Sequence, residues 1–68
     1  MVEVFKTNVQ EESEARQIVQ LLLERFPLYA INFDLEDCDR VLRVEGSAID
    51  SELICAILEQ ANVQCCVL

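Results

Sequence analysis

The chain has 68 residues, 53% of them hydrophobic, and carries 13 acidic against 5 basic residues for a formal charge of -8. A chain of this length buries roughly 60% of the surface that it exposes when unfolded. Most of its apolar residues are therefore needed for one small core, and a deep catalytic cleft is not expected. The acidic surface argues against nucleic acid and anionic membrane as partners. Because the chain has no histidine, Ser-His and Cys-His catalysis are excluded within it, and we expect no enzyme.

The cellular compartment is predicted from the apolar runs and the cysteines. No apolar run approaches the ~18 residues of a membrane span, and residues 1–6 lack the basic and apolar regions of a signal peptide. We therefore expect a cytoplasmic protein. The four cysteines form neither a C-x-x-C motif nor a Cys/His quartet. A core rich in Val, Ile and Leu favours free thiols over a disulfide framework.

The first half of the chain predicts a strand followed by a helix. Residues 2–7 are rich in β-branched and aromatic side chains, which favours a strand. Asn8, with Glu11 three residues later and an acidic first turn, is typical of a helix start. The helix is expected to run to about Arg25 and to end before Pro27. Its apolar positions recur at steps of three and four: Ala15, Ile18, Val19, Leu22 and Phe26.

The second half predicts a hairpin, a second helix and a last strand. Residues 28–35 alternate with period two, residues 36–39 are turn formers, and residues 40–45 alternate again. Ser47 is predicted to cap the second helix, with Asp50 at the third position after it. Cys55 is expected nearer the polar side of that helix. The residues expected to be buried by the helix are Ile49, Leu53, Ile54, Ile57, Leu58 and Ala61. Residues 63–68 are predicted to form a strand with Val63, Cys65 and Val67 on one face.

This order of elements predicts an α+β fold, a ferredoxin-like βαββαβ sandwich formed by residues 1–68 as a single domain. Right-handed crossovers and a tight hairpin favour one four-stranded antiparallel sheet in the order 4-1-3-2, with both helices on one face. The loop after strand one, the hairpin between strands two and three, and the loop after helix two would then meet at the same end of the sheet. Either Val4 or Phe5 is expected on the open face, near Val41.

That end of the sheet is predicted to be acidic, and we call its carboxylates the acidic pole: Glu11, Glu12, Glu14, Glu36, Asp37 and Asp39. Carboxylates at a helix start stabilise its dipole, and the same group is a candidate face for a basic partner or a weak site for a hard cation. The candidate thiols are Cys38, Cys65 and Cys66, and metal binding is expected to use Cys65, Cys66 or the acidic pole. Cys38 and Cys65 are expected about 14 Å apart, across three strand spacings, so they should not share an ion. Cys65 and Cys66 should point to opposite faces.

In length and element order, the whole chain resembles the heavy-metal-associated domain of copper chaperones and metal-pumping ATPases. Members of that family carry Met-x-Cys-x-x-Cys in the loop after strand one. With Val9 at the position of the family's Met, Ile18 and Leu21 match apolar helix positions, and Glu11 and Glu14 stand where the thiolate ligands would be. A shift by one offers Gln10 and Ser13. Carboxylates do not replace thiolates for monovalent copper, so the resemblance implies a degenerate member without the family's metal site and without a cofactor.

Three functions follow from these observations. The first is a non-catalytic protein-interaction module that uses the acidic pole or the open sheet face, with a weak homodimer through an edge strand or that face as one version. The second is a metal-binding or metal-trafficking protein of altered specificity. The third is a regulatory module that binds small molecules, like the ACT domain, whose element order is the same. The usual glycine of ACT domains between strand one and helix one is replaced here by residues 7–10, Thr-Asn-Val-Gln.

Overall fold

The computed structural model describes residues 1–68, with four strands and two helices in the predicted order. The elements are β1 (Val2–Thr7), α1 (Glu12–Arg25), β2 (Ala30–Asp34), β3 (Val41–Glu45), α2 (Ser51–Gln60) and β4 (Cys65–Val67). The strands β2 and β4 are shorter than expected from the sequence. Residues 28, 29 and 35 flank β2 without pairing, and β4 is reduced to three residues.

The four strands form one antiparallel sheet in the order β2-β3-β1-β4, which is the predicted order read in the opposite direction. In the centre, β1 pairs with β3 from Val2 opposite Glu45 to Lys6 opposite Val41. The edges are β2, which pairs only with β3, and β4, which pairs only with β1. The α+β fold with a four-stranded antiparallel sheet is thus confirmed.

The core lies between one face of the sheet and the two helices. Phe5, Leu42 and Val44 are fully buried on that face because alternate residues of β1 and β3 point toward the helices. The helices contribute Ala15, Ile18, Leu22, Ile54, Ile57 and Leu58 to the same cluster of 13 buried residues. Val4 points to the opposite, open face as anticipated, where its β3 neighbour is Arg43.

Both predicted helix caps are wrong. The N-cap of α1 is Glu11, which makes no capping hydrogen bond with its side chain. Asn8 instead accepts a hydrogen bond from the Gln64 backbone N–H at 2.9 Å and so joins two loops. The N-cap of α2 is Asp50, whose carboxylate accepts from the Leu53 N–H at 3.2 Å. Ser47 is exposed and precedes the helix by four positions. The helix begins later than the sequence predicted, so Asp50, which was expected within its first turn, is the residue that caps it.

The buried face of α2 is also narrower than predicted. Ile54, Ile57 and Leu58 are buried, but Leu53 is 38% exposed and Ala61 is exposed beyond the end of the helix. Since the buried positions recur at steps of three and one, Leu53 falls on the flank of the helix.

Gly46 permits close packing between the end of β3 and the segment before β2. A Cβ atom at Gly46 would lie 2.5 Å from the Tyr29 ring, well inside van der Waals contact. The Tyr29 ring also stacks on Phe26 at 4.9 Å between centroids, and its hydroxyl donates to the Ala48 carbonyl at 3.2 Å. The single glycine of the chain is therefore required by tertiary packing, in addition to ending a strand.

Candidate functional site

The loop after β1 carries the positions that correspond to the heavy-metal-associated motif. Val9 is fully buried, so it is part of the core. Glu11 and Glu14 are both exposed. Exposed carboxylates are hard oxygen donors and prefer hard cations, so these residues do not fit the soft, monovalent ion that the family binds.

Backbone and side-chain hydrogen bonds hold three loops together at this end of the sheet. The Thr7 hydroxyl donates to the Arg40 carbonyl and accepts from the Val9 N–H at 3.3 Å. The Thr7 N–H donates to the Asp39 carbonyl at 3.1 Å. With the bond from Gln64 to Asn8, these contacts confirm that the loop after β1, the β2–β3 hairpin and the loop after α2 meet at one end.

The structure places the acidic pole at this end of the sheet. Five of its six residues, Glu11, Glu12, Glu14, Glu36 and Asp37, are exposed, and Asp39 is half-buried. Two carboxylates have cationic neighbours: Asp39 lies 3.7 Å from Lys6, and Glu12 lies 3.0 Å from Arg16. Such exposed pairs contribute little stability, at most about 1 kcal/mol each. A role of the acidic pole in binding stays a prediction.

Asp37, Cys38 and Asp39 offer three ligand atoms within 4.8 Å of one another. Their contacts belong to the hairpin turn. The Asp37 carboxylate accepts from the Asp39 N–H at 2.9 Å, and the Asp39 carboxylate faces Lys6. Cys38 itself is exposed. The cluster is therefore explained by turn formation, because aspartate side chains commonly accept from backbone N–H groups two residues ahead.

Cys55 and Cys65 form a pair of free thiols between α2 and β4. Their Sγ atoms lie 3.2 Å apart, and the Cys55 thiol donates to Cys65. This separation is longer than the ~2.05 Å of a disulfide bond. Both side chains are half-buried and pack against the core cluster. We call these two residues the thiol pair.

The end of α2 explains why the thiol pair forms. Asn62 has a positive φ of 64°. The Asn62 N–H donates to the Glu59 carbonyl at 3.0 Å, and the Val63 N–H donates to the Leu58 carbonyl at 2.9 Å. This is the Schellman pattern, in which a left-handed residue ends a helix and reverses the chain. The reversal leads β4 back beside the last turns of α2, so that Cys65 meets a side chain ten positions earlier.

The environment of Cys65 favours the protonated state of its thiol. Burial is the largest cause that raises the pKa of the Cys65 thiol well above its ordinary value, since a thiolate is poorly solvated there. The hydrogen bond shared with Cys55, and the negative charges of the Glu59 carboxylate and of Cys55 and Cys66 as thiolates, raise it further. A shallow pocket beside the pair is lined by Cys65 and by residues 59 and 62–64, so solvent reaches this region.

The predictions for the thiols are confirmed in part. Cys65 lies opposite Thr7, on the helix side, whereas Cys66 lies opposite Lys6, on the open face, so adjacent cysteines do point to opposite faces. The placement of Cys55 near the polar side of α2 is wrong, because it packs against the core and contacts Cys65. A signal was present in the sequence. Only four residues separate α2 from β4, and Cys65 shares the inward face with Val63.

No helix meets the length and hydropathy that crossing a bilayer requires. No protein-family model matches the chain, and no curated protein matches it. A solved structure described as "Crystal structure of Gold binding protein" superimposes with a TM-score of 0.85. It is 19% identical in sequence, and the match covers 97% of this chain and 98% of that one. At this identity the likeness shows that the two chains share a fold.

Proposed function

We propose that this chain is a non-catalytic domain of the ferredoxin-like type, a relative of heavy-metal-associated domains, that binds a soft monovalent metal ion through Cys55 and Cys65. The observation that carries the proposal is the 3.2 Å separation of two free thiols at a half-buried place. The cysteines are supplied by α2 and β4 and replace, at a different position, the thiolates that the loop after β1 lacks.

The donor set determines the class of ion. Thiolates select soft ions such as monovalent copper. No further cysteine, aspartate or glutamate side chain lies close enough to the thiol pair to supply a third ligand. Structural zinc sites use four ligands, whereas a monovalent copper, silver or gold ion is satisfied by two sulfurs. The name of the gold-binding structural neighbour agrees with an ion of this class, although that name describes the neighbour alone.

For an ion to bind between them, the two sulfur atoms must move slightly apart. Two metal–sulfur bonds of about 2.3 Å each, arranged in line, span ~4.6 Å, so the Sγ atoms must move apart from 3.2 Å. The three-residue edge strand β4 is the element that can shift, since within the sheet it pairs with β1 alone. Both thiols lose their protons when the ion binds, and the raised pKa of Cys65 opposes this loss. Affinity should consequently increase with pH across the neutral range.

The test is a titration of the reduced protein with monovalent copper held by a coloured competing chelator. The wild-type chain should withdraw one equivalent from the chelator, and Cys55→Ser and Cys65→Ser should each lower the affinity at least 100-fold. Cys66→Ser is the matched control, because it removes the neighbouring thiol on the opposite face of the strand. Cys38→Ser removes the thiol of the hairpin.

Three results would contradict the proposal. They are the absence of copper transfer to the wild-type chain, equal losses in all four variants, and a loss confined to Cys38→Ser. Circular dichroism of each variant distinguishes loss of ligation from loss of folding. A repeat with divalent zinc should show at least 100-fold weaker binding, since the pair supplies only two of the four ligands that zinc prefers.

A further inference from the structure

A groove between α1 and the edge strand β2 leaves apolar surface uncovered. Its volume is about 670 Å³, and α1 and the β2 region each contribute three hydrophobic residues. These are Ala15, Val19, Leu23, Ile31, Phe33 and Leu35. Leu23 is 36% exposed, and Val19, Phe33 and Leu35 are half-buried. The helix and the sheet therefore do not close over each other at this edge.

The strand beside the groove has one free side. Within the sheet β2 pairs with β3 alone, so its outer side carries N–H and C=O groups without a strand partner. Such an edge is a template for a further strand. Alternate residues of an added strand would point toward the groove, as Ile31 and Phe33 do, while the others would lie beside Asn32 and Asp34.

The charge around the groove identifies the kind of occupant. The charged residues that line it are Glu12, Arg16, Asp34 and Glu36. Arg16 is paired with Glu12 at 3.0 Å, whereas Asp34 and Glu36 have no ion pair with a lysine or arginine. A second copy of this chain would bring the same acidic residues and a further charge of -8. Like charges at an interface disfavour that pairing, and opposite charges favour a basic partner.

We propose that the groove and the outer side of β2 together bind an extended segment of a partner protein in which apolar and basic residues alternate. The segment adds to the sheet as a fifth strand next to β2. Its apolar side chains enter the groove, and its basic side chains approach Asp34 and Glu36. This surface lies at the opposite edge of the sheet from the thiol pair, so the proposal is independent of metal binding.

The probe is a capped, fluorescently labelled heptapeptide, Lys-Val-Lys-Leu-Lys-Val-Lys, and its binding is followed by fluorescence anisotropy and by amide chemical shifts. The shifts should change at Ala30–Asp34. A peptide with glutamate in place of lysine, and one with N-methylated amides on the strand-pairing side, should each bind at least 10-fold more weakly. The first control tests charge, and the second tests main-chain pairing.

Leu23→Gln replaces an apolar side chain of the groove by a neutral polar one and should weaken binding of the lysine peptide at least 10-fold. Leu53→Gln is the matched control, because Leu53 is 38% exposed but lies on α2, outside the groove. The affinity of Leu53→Gln should equal that of the wild-type chain. Equal weakening by both variants, unchanged affinity of Leu23→Gln, or shift changes confined to the open sheet face would overturn the proposal. A dimer that light scattering detects and Leu23→Gln abolishes would also overturn it, because the occupant would then be a second copy.

Discussion

At the scale of single residues, the positions that matter most are those where two distant parts of the chain touch. Gly46 accommodates the Tyr29 ring, Asn8 receives the Gln64 N–H, and Cys65 contacts Cys55. No pattern of neighbouring residues predicts the contacts of Gly46 and Asn8, and only the short connection between α2 and β4 indicates that of Cys65. The sequence predicted a local setting for two of them, a helix start for Asn8 and a strand face for Cys65, and in the structure each of the three has a tertiary partner.

Gly46→Ala should destabilise the protein by about 1–3 kcal/mol, because the added methyl group must displace the Tyr29 ring. Urea unfolding followed by circular dichroism measures the change. Tyr29→Ala in the same chain removes the ring, so the double variant should lose less than the sum of the single variants by ~0.5 kcal/mol or more. Strict additivity of the two substitutions would show that the ring does not set the requirement for glycine.

The stability of the protein should decrease as the pH rises above 9, because the folded state raises the pKa of Cys65 above the reference value of 9.0. Below that pH the thiol is protonated in both states, and its full contribution to stability is present. Above it, the unfolded chain releases the proton while the folded chain keeps it, so unfolding becomes more favourable.

The measurement is urea unfolding of the wild-type chain and of Cys65→Ala between pH 7 and pH 10. The difference between the two should shrink or reverse as the pH rises. Val63→Ala, which removes a buried but non-titrating neighbour, should change stability by an amount that does not depend on pH. A constant difference for Cys65→Ala would contradict the assignment of a raised pKa.

At the scale of elements, the ends of the helices decide how the loops approach the candidate sites. The first helix begins at Glu12 without a side-chain cap, and the second begins at Ser51 after a capped turn. The second helix then ends in the Schellman turn at Asn62. This turn brings β4 against α2, so the geometry of the thiol pair depends on a helix terminus as much as on the cysteines themselves.

Asp50→Ala should lower the free energy of unfolding by about 1 kcal/mol, because it removes the acceptor for the Leu53 N–H. Ser47→Ala should change it by less than ~0.5 kcal/mol, since Ser47 is exposed and precedes the helix by four positions. Urea unfolding of the two variants side by side compares the candidate caps directly. A larger loss for Ser47→Ala would restore Ser47 as the cap.

At the scale of the whole molecule, the protein is small enough for its charged groups to repel one another across its full width at low ionic strength. The protein measures 27 × 21 × 18 Å and carries a formal charge of -8. At an ionic strength of 0.01 M the Debye length is about 30 Å, so the carboxylates repel one another across the entire molecule, whereas at 0.1 M it is about 10 Å. The acidic pole concentrates six of the 13 acidic residues at one end.

Added salt should therefore stabilise the protein. Between 0.01 M and 0.3 M sodium chloride we expect the free energy of unfolding to rise by about 1 kcal/mol, as repulsion within the compact state is screened. Urea, which is uncharged, is the appropriate denaturant. The double variant Glu11→Gln, Glu14→Gln should show a smaller rise. A fall in stability with salt would mean that ion pairs and the helix dipole outweigh the repulsion.

Local patterns in the sequence predicted the order of the six elements, the antiparallel sheet and the alternation of side chains between its two faces, although they left open which of Val4 and Phe5 faces the helices. These follow from periodicities of two and 3.6 residues, which local side-chain spacing records directly. The sequence also placed the acidic pole and separated Cys65 from Cys66. The tertiary structure alone decided the helix caps, the contact between Gly46 and Tyr29, the thiol pair and the open groove beside β2. The physical reason is that these features depend on where two elements meet in space, and a hydrophobic pattern records only which side of each element faces inward.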